Sequence, residues 1–247
     1  MAMVSPPYSI PQADPPLAPQ RHLPTMYELP SEHLAETGLP DEFHYLQPQL
    51  LSETFRLADY TADQIFTAGD LNLYYDVRHP LWYKRPDWFA ALGVPRLYNN
   101  TDMRLSYVLW QEGVSPAIVV ELAAPGTEAE DLGQTMPEPS QPPTKWSVYQ
   151  DLLRVPYYVV FNRYSNSFRV FSLVAGSYEA MTDDTLRYWL PNLGLGVGLW
   201  QGEYRDIYRS WLRWYDGNGQ WLPTRVERLA ERLAERLREL GVDPDEV

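Results

Sequence analysis

Asp87 in "YKRPDWF", Glu121 in "AIVVELAAPGT" and Lys145 in "KWSVYQDLLR" are the residues whose types and settings could do chemistry. Residues 117–122 read as a buried strand, where a carboxylate costs several kcal/mol unless a cation or hydrogen bonds meet it. Side chains alternate along a strand, so Val119, Glu121 and Ala123 share one face. The plainest partner for Glu121 is an arginine or lysine; the sharper one is a divalent ion with oxygen ligands. Pro86 sets an extended entry to another strand, and Asp87 opens that strand with its carboxylate able to point off the sheet end. Two such acids suit Mg²⁺, which takes one or two carboxylates and completes its shell with water and substrate phosphate. Phosphodiester hydrolysis uses an ion of this kind to stabilise negative charge and ready a water, and a lysine to position that water or neutralise the transition state. The slot two places after Glu121, where a lysine would share its face, holds Ala123. Lysines are few. Lys145 opens the next helix, where a cation opposes the macrodipole by about 0.3–1 kcal/mol when exposed, so it does not serve the helix locally. The competing account makes Asp87 a turn cap and pairs Glu121 with Arg85 or Arg104.

The chain has 247 residues, 45% of them hydrophobic, enough for one sizeable core or a core with an appendage. It contains no run of about eighteen uncharged apolar residues, so no membrane span is expected. Its first twenty residues lack the basic and apolar regions of a secretory signal. The absence of cysteine excludes disulfides and thiolate metal sites and suits a reducing, cytoplasmic setting. His22, His33, His44 and His79 show no paired zinc-ligand spacing. Twenty basic residues against 33 acidic ones give a net charge of −13. That balance argues against a tight, nonspecific hold on nucleic acid phosphates unless a basic patch is local.

The elements that must position these residues follow from periodicity. Residues 1–24, with seven prolines, read as a disordered or extended arm. A helix is predicted over 46–59 after Pro48, β-rich chain over 64–77 broken at Gly69, and strands over 87–94, 104–110 and 117–122. After a Pro- and acid-rich loop over 124–144, a helix over 145–154 would place Trp146, Tyr149 and Leu153 on one face. Strands over 156–163, 167–174 and 177–181 come next. In "LGLGVGLW" the glycines alternate strictly, which is strand patterning with a bare face rather than a phosphate loop. "WLRWYDGNGQWL" carries a hairpin signal at 216–219. Over 225–240, Leu229, Leu233, Leu237 and Leu240 form a stripe flanked by the i,i+3 pairs Arg228–Glu231, Arg232–Glu235 and Arg236–Glu239. The order predicts an α/β (α+β) domain with a mixed sheet, ending in a charged amphipathic helix. That helix either contacts a second copy or lies on its own domain.

At these residues the chain resembles the Uma2 (DUF820) family of the PD-(D/E)XK restriction-endonuclease-like superfamily. The motifs are Asp87 in "RPDWF", Glu121 in "PAIVVELAAPGTEAED" and Lys145 with Tyr149 in "KWSVYQDLLRVPYYVVF". The likeness runs over roughly residues 27–245. It implies a central mixed β-sheet flanked by helices. It implies that Asp87, Glu121 and the Leu122 carbonyl hold Mg²⁺ or Mn²⁺, and that Lys145 is the catalytic lysine, moved from its usual strand onto the helix. Asp131 matches an acid that supports such a site, and DNA is the implied substrate. Glu28, Glu53 and Asp70 are further candidates for the ion's shell. Domain boundaries are expected at 25–205 for the nuclease-like unit and 206–247 for a hairpin and helix suited to homodimerisation. The alternative reading is a weak or inactive relative that acts as an interaction module through its C-terminal helix. Two observations decide between them: whether Asp87 and Glu121 converge within one ion's coordination distance with Lys145 beside them, past "TMPEPSQPPT" (135–144), and whether the cleft they share is locally basic despite the acidic whole.

Overall fold

A six-stranded sheet carries Glu121 on a central strand and Asp87 at the start of the strand beside it, with Lys145 on a helix packed against them. The structure is a computed structural model that describes residues 23–29, 41–123, 128–135 and 141–244. In chain order it contains α1 (Glu42–Thr54), β1 (Ile65–Ala68), β2 (Leu73–Tyr74), β3 (Tyr83–Lys84), β4 (Trp88–Leu92) and β5 (Tyr107–Val108). Then come α2 (Leu109–Glu112), β6 (Ile118–Leu122), α3 (Glu128–Asp131) and α4 (Lys145–Ser147), the last continued by a π-helical turn over Val148–Leu152. The chain finishes with β7 (Tyr157–Asn162), β8 (Ser167–Val174), β9 (Ser177–Ala180), β10 (Arg187–Leu190), β11 (Leu195–Tyr204), β12 (Ile207–Tyr215) and α5 (Arg225–Glu239). The main sheet has the order β1-β4-β6-β7-β8-β9. Only β6 and β7 run parallel, with Leu122 opposite Phe161; the other pairs are antiparallel. The sheet is mixed and flanked by helices, as the sequence predicts.

Burial explains why β6 can be apolar throughout: all five of its residues are buried, as expected of a strand covered on both faces. Ile118, Val120 and Leu122 join one core with Phe43, Leu50 and Leu51 of α1 and with Trp211 and Trp214 of β12. Val119 and Ala123 join the other, with Val148, Tyr149, Tyr158 and Phe171. The sheet β10-β11-β12 thus reinforces the α1 side. The boundary expected at 205/206 falls at the turn of the β11–β12 hairpin, whose register spans Gly196–Tyr215 to Tyr204–Ile207.

Three elements differ from the sequence reading. Helix α1 starts at Glu42, not after Pro48, because Asp41 caps it by accepting the His44 N–H at 3.1 Å. Pro48 then lies inside, at the cost of one backbone bond, offset by the burial of Phe43, Leu46, Leu50 and Leu51. The stretch 104–110 is extended only at Tyr107–Val108; a single helical turn follows, closed by Gly113 at φ 73°. The helix over 145–154 is α-helical for one turn and then widens, with Leu153 N–H donating to the Val148 carbonyl. Of the expected arm over 1–24, only Leu23 and Pro24 lie within the described residues; Leu23 is buried and the Pro24 carbonyl accepts from Trp110 Nε1 at 2.8 Å.

The glycine alternation in β11 has a steric cause. A Cβ at Gly196 would fall inside the Tyr215 ring, and one at Gly198 would crowd Arg187 and Trp221. The bare face is a bed for aromatic rings from β12 and the turn after it. Among the described residues no helix is long and apolar enough to cross a membrane. Helix α5 buries none of its residues, and Leu229, Leu233 and Leu240 are 54%, 56% and 63% exposed. Of the three predicted i,i+3 pairs, Arg236–Glu239 forms at 2.6 Å, while Arg228 turns back to the Pro223 carbonyl.

Candidate active site

Glu121 is 0% exposed, and its carboxylate is met from across the core by α4 and the turn that extends it. Lys145 Nζ donates to Glu121 Oε2 at 2.9 Å and to Asp131 Oδ1 at 3.1 Å. Tyr149 OH donates to Glu121 Oε1 at 2.8 Å. Lys145 and Tyr149 are four residues apart, hence on one helical face, and each takes one oxygen of the same carboxylate. The helix start is fixed by Thr144, whose hydroxyl accepts the Ser147 N–H at 3.2 Å. The Pro-rich stretch before it does not keep Lys145 from the site.

Asp87 arrives from the neighbouring strand. The Leu122 N–H donates to Asp87 Oδ2 at 2.6 Å, and the Asp87 and Glu121 carboxyls are close enough to interact electrostatically. Glu121 takes Lys145 as its cation, while Arg104 pairs with Glu112 at 2.7 and 2.9 Å and Arg85 donates to Asn72 at 2.8 Å. Asp131 also joins the cluster, its backbone carbonyl accepting from Tyr158 OH at 2.9 Å. Glu28, Glu53 and Asp70 point elsewhere, Glu28 to Thr25 at 2.7 Å, Glu53 to Tyr204 at 3.2 Å and Asp70 toward Arg85 at 3.8 Å.

Three participants carry no motif of their own. His44 is buried on α1; its Nε2 donates to the Leu122 carbonyl at 2.9 Å and its Nδ1 lies 2.9 Å from Asp41 Oδ1. The carbonyl that the family likeness assigns to an ion is thus already engaged by one donor, with a second lone pair left. Lys84 Nζ lies 3.6 Å from Glu130 Oε1 and interacts electrostatically with Lys145 and Glu121. Lys84 and Lys145 are the only lysines in the chain, and both border this acid cluster. A groove of about 330 Å³ lined by His44, Pro48, Gly69 and Asp70 runs along the same strand end; an added Cβ on Gly69 would meet the Asp87 carbonyl at 3.0 Å.

Titration follows from this crowding. Burial pushes the Glu121 carboxyl up to about 7; Lys145 and Tyr149 pull it down, and the Asp87 charge pushes it further up. Burial likewise raises Asp87, against the pull of Lys145 and the Leu122 N–H. Burial alone would lower Lys145, but Glu121, Asp131 and Asp87 together raise it above its ordinary value. Burial and the Glu121 charge hold the Tyr149 hydroxyl well above its usual range. Both acids are thus held above the usual carboxylate range while the lysine stays an ammonium.

A hard-oxygen donor set of this kind fits Mg²⁺ or Mn²⁺. Among the described residues no group of three His, Asp or Glu side chains is placed to hold an ion, so the protein's share would be the two carboxylates and a main-chain carbonyl. Burial holds both acids above the usual carboxylate range against the pull of Lys145, and the charge of a dication would lower them further.

Comparison with known proteins gives one family, whose model, described as "Putative restriction endonuclease", matches residues 17–207 under the name Uma2. A solved structure titled as a "putative nuclease belonging to DUF820" from Anabaena variabilis is similar at a TM-score of 0.45 and 9% identity, covering 81% of this chain and 90% of that one. No curated protein matches the chain.

The raised Glu121 has a consequence for stability. In the unfolded chain it titrates near 4.5 and in the fold near 7, so the folded form holds the proton more tightly. Its contribution is complete below about pH 4.5 and is lost as pH rises to about 7, on the order of 3 kcal/mol at ~1.4 kcal/mol per unit. Urea denaturation of Glu121→Gln across this window, without divalent ions, is expected to show the variant gaining stability relative to the parent as pH rises. A pH-independent difference contradicts the assignment.

Proposed function

The chain belongs to the Uma2 family, and from that premise we propose that it is a metal-dependent DNA endonuclease that hydrolyses phosphodiester bonds. Asp87 and Glu121 are its Mg²⁺ or Mn²⁺ ligands, with the Leu122 carbonyl beside them, and Lys145 is its catalytic cation. The observation that carries this reading is convergence: three elements far apart in sequence bring two carboxyls and one ammonium to a single spot. Nothing in the packing requires that cluster, since an apolar trio of similar volume would hold the strand and helix together at lower desolvation cost.

When bound, a dication supplies Lewis acidity toward a phosphoryl oxygen and makes a water more acidic. The residues do the rest. The Leu122 N–H pins Asp87 and leaves its carboxylate beside Glu121. The Asp41–His44 pair holds the Leu122 main chain from the α1 side, so both strand ends are fixed before substrate arrives, as preorganised electrostatic catalysis needs. Lys145 remains protonated and so acts as a donor and a positive charge toward the reacting phosphate, not as a base. Glu121, near neutrality, gives up its proton when a stronger cation faces it.

A second reading rests on α5. Its half-exposed leucine stripe has no cover among the described residues, and we read it as the contact between two copies, which would bring two cutting centres to one duplex. In an inactive relative the same stripe would be the working surface. Sedimentation tests it: Leu229→Glu with Leu233→Glu is expected to shift a dimer to monomer with the domain's melting temperature unchanged. A parent protein that is already monomeric at high concentration removes the homodimer.

For catalysis, the parent with Mn²⁺ is expected to nick supercoiled plasmid. Asp87→Ala and Glu121→Ala abolish nicking, and Lys145→Ala slows it by about 10²–10³-fold. Nicking that survives either carboxylate change, or that appears with no divalent ion, overturns the reading.

A further inference from the structure

We infer that Arg163 and Arg209 form a cradle for a backbone phosphate of the strand being cut, next to the scissile one. This rests on the nuclease reading for the identity of the strand, but on separate residues.

The two guanidiniums come from different elements and meet over one ring. Arg163 follows β7 directly, and its guanidinium carbon lies 5.7 Å from the centre of the Phe43 ring. Arg209, on β12, lies 4.3 Å from the same ring and 5.4 Å from Trp211. Between them they reach one carboxylate: Arg163 Nη2 donates to Asp41 Oδ2 at 2.6 Å and to the Tyr164 hydroxyl at 2.8 Å. Asp41 is already spent as the cap of α1 and the partner of His44. Among the described residues Arg209 has neither an ion pair nor a hydrogen bond, and the Nε atoms of both arginines are buried with no acceptor. Burial, and then the charge of Arg163, holds Arg209 below its ordinary value. In a chain with 33 acidic residues, two guanidiniums beside one ring, one of them with no side-chain acceptor among the described residues, mark a place for an anion. The planar forks match phosphate oxygens two at a time.

Packing alone explains less. Stacking on Phe43 accounts for one face of each guanidinium, but it satisfies no N–H and does not require the two to be neighbours. A lone arginine or an apolar side chain would cover Phe43 equally well.

The position relative to the acids comes from the topology. β6 and β7 are parallel, so the ends carrying Glu121–Leu122 and Asn162–Arg163 emerge at the same edge of the sheet, where open α/β sheets bind ligands. A continuous run of contacts joins them: Arg163 to Asp41, Asp41 Oδ1 to His44 Nδ1 at 2.9 Å, His44 Nε2 to the Leu122 carbonyl at 2.9 Å, and the Leu122 N–H to Asp87 at 2.6 Å. A phosphate on the arginines therefore sits on the same strand path as one at the carboxylates. It also answers the charge objection, because this local pair supplies what an acidic chain lacks overall.

The test is fluorescence anisotropy of the full chain with a short fluorescein-labelled DNA duplex, without divalent ions, over a range of salt. Arg163→Gln with Arg209→Gln is expected to weaken binding roughly tenfold and to flatten the salt dependence of log Kd by about one to two. Mn²⁺ binding by calorimetry is unchanged. Arg209→Lys, which keeps the charge and the stem over Phe43, is expected to weaken binding through loss of the fork while preserving the salt slope. If the double variant fails to fold, this one decides. Wild-type affinity and slope in folded variants overturns the cradle even if the protein cuts DNA. Arginine-dependent binding by a protein that cuts nothing supports the two arginines as a phosphate site, removes its place beside a scissile bond and sinks the nuclease reading.

Discussion

A carboxylate with no exposure in the central strand of a sheet must be compensated, and the Glu121–Lys145 contact is where that happens. Leaving such a charge unpaired costs several kcal/mol, so the local architecture is built around it. Thr144 fixes the helix start, the four-residue spacing gives Lys145 and Tyr149 one oxygen each, and the π-helical turn then carries the chain down to the buried Leu153. Asp131 shares the ammonium, and Tyr158 holds the Asp131 backbone. Removing Glu121 would leave most of the apolar packing intact and take away the reason for this polar arrangement.

The compensation is incomplete, which is the functional point. One ammonium faces three carboxyl groups, and burial holds Glu121 near neutrality in its titration. A site optimised for stability would have fewer acids or more cations. The excess of negative character, set at the carboxyl ends of parallel strands and bordered by both lysines of the chain, supports the proposal that this place takes a further positive charge. His44 and Asp41 stiffen the same spot from the opposite layer, so α1 contributes to the centre as well as to the core.

Much of this was readable in the sequence, for definite reasons. β6 and β7 announce themselves as apolar runs because both faces are covered, and an acid inside such a run stands out. The reach of Lys145 was implicit in its spacing from Tyr149. Helix α1 was misplaced because Pro48 looked like a first-turn proline, while the true cap, Asp41, lies seven residues earlier. His44 and Asp41 were missed because their partner is a main-chain carbonyl, which leaves no trace in residue type. Lys84 sits in a two-residue strand with no periodicity to read; the scarcity of lysine was the signal available for it. Arg163 and Arg209 are 46 positions apart in the numbering and meet only because β12 folds back beside α1.

The central claim is that the Asp87–Glu121 pocket receives a dication. Anomalous diffraction from a crystal soaked in Mn²⁺ addresses it most directly. The account predicts a single strong peak within coordination distance of both carboxylates, with Lys145 released from Glu121 Oε2. A soaked crystal with no peak there, and Lys145 still bridging Glu121 and Asp131, would show that the ammonium is the only cation this site was built to hold.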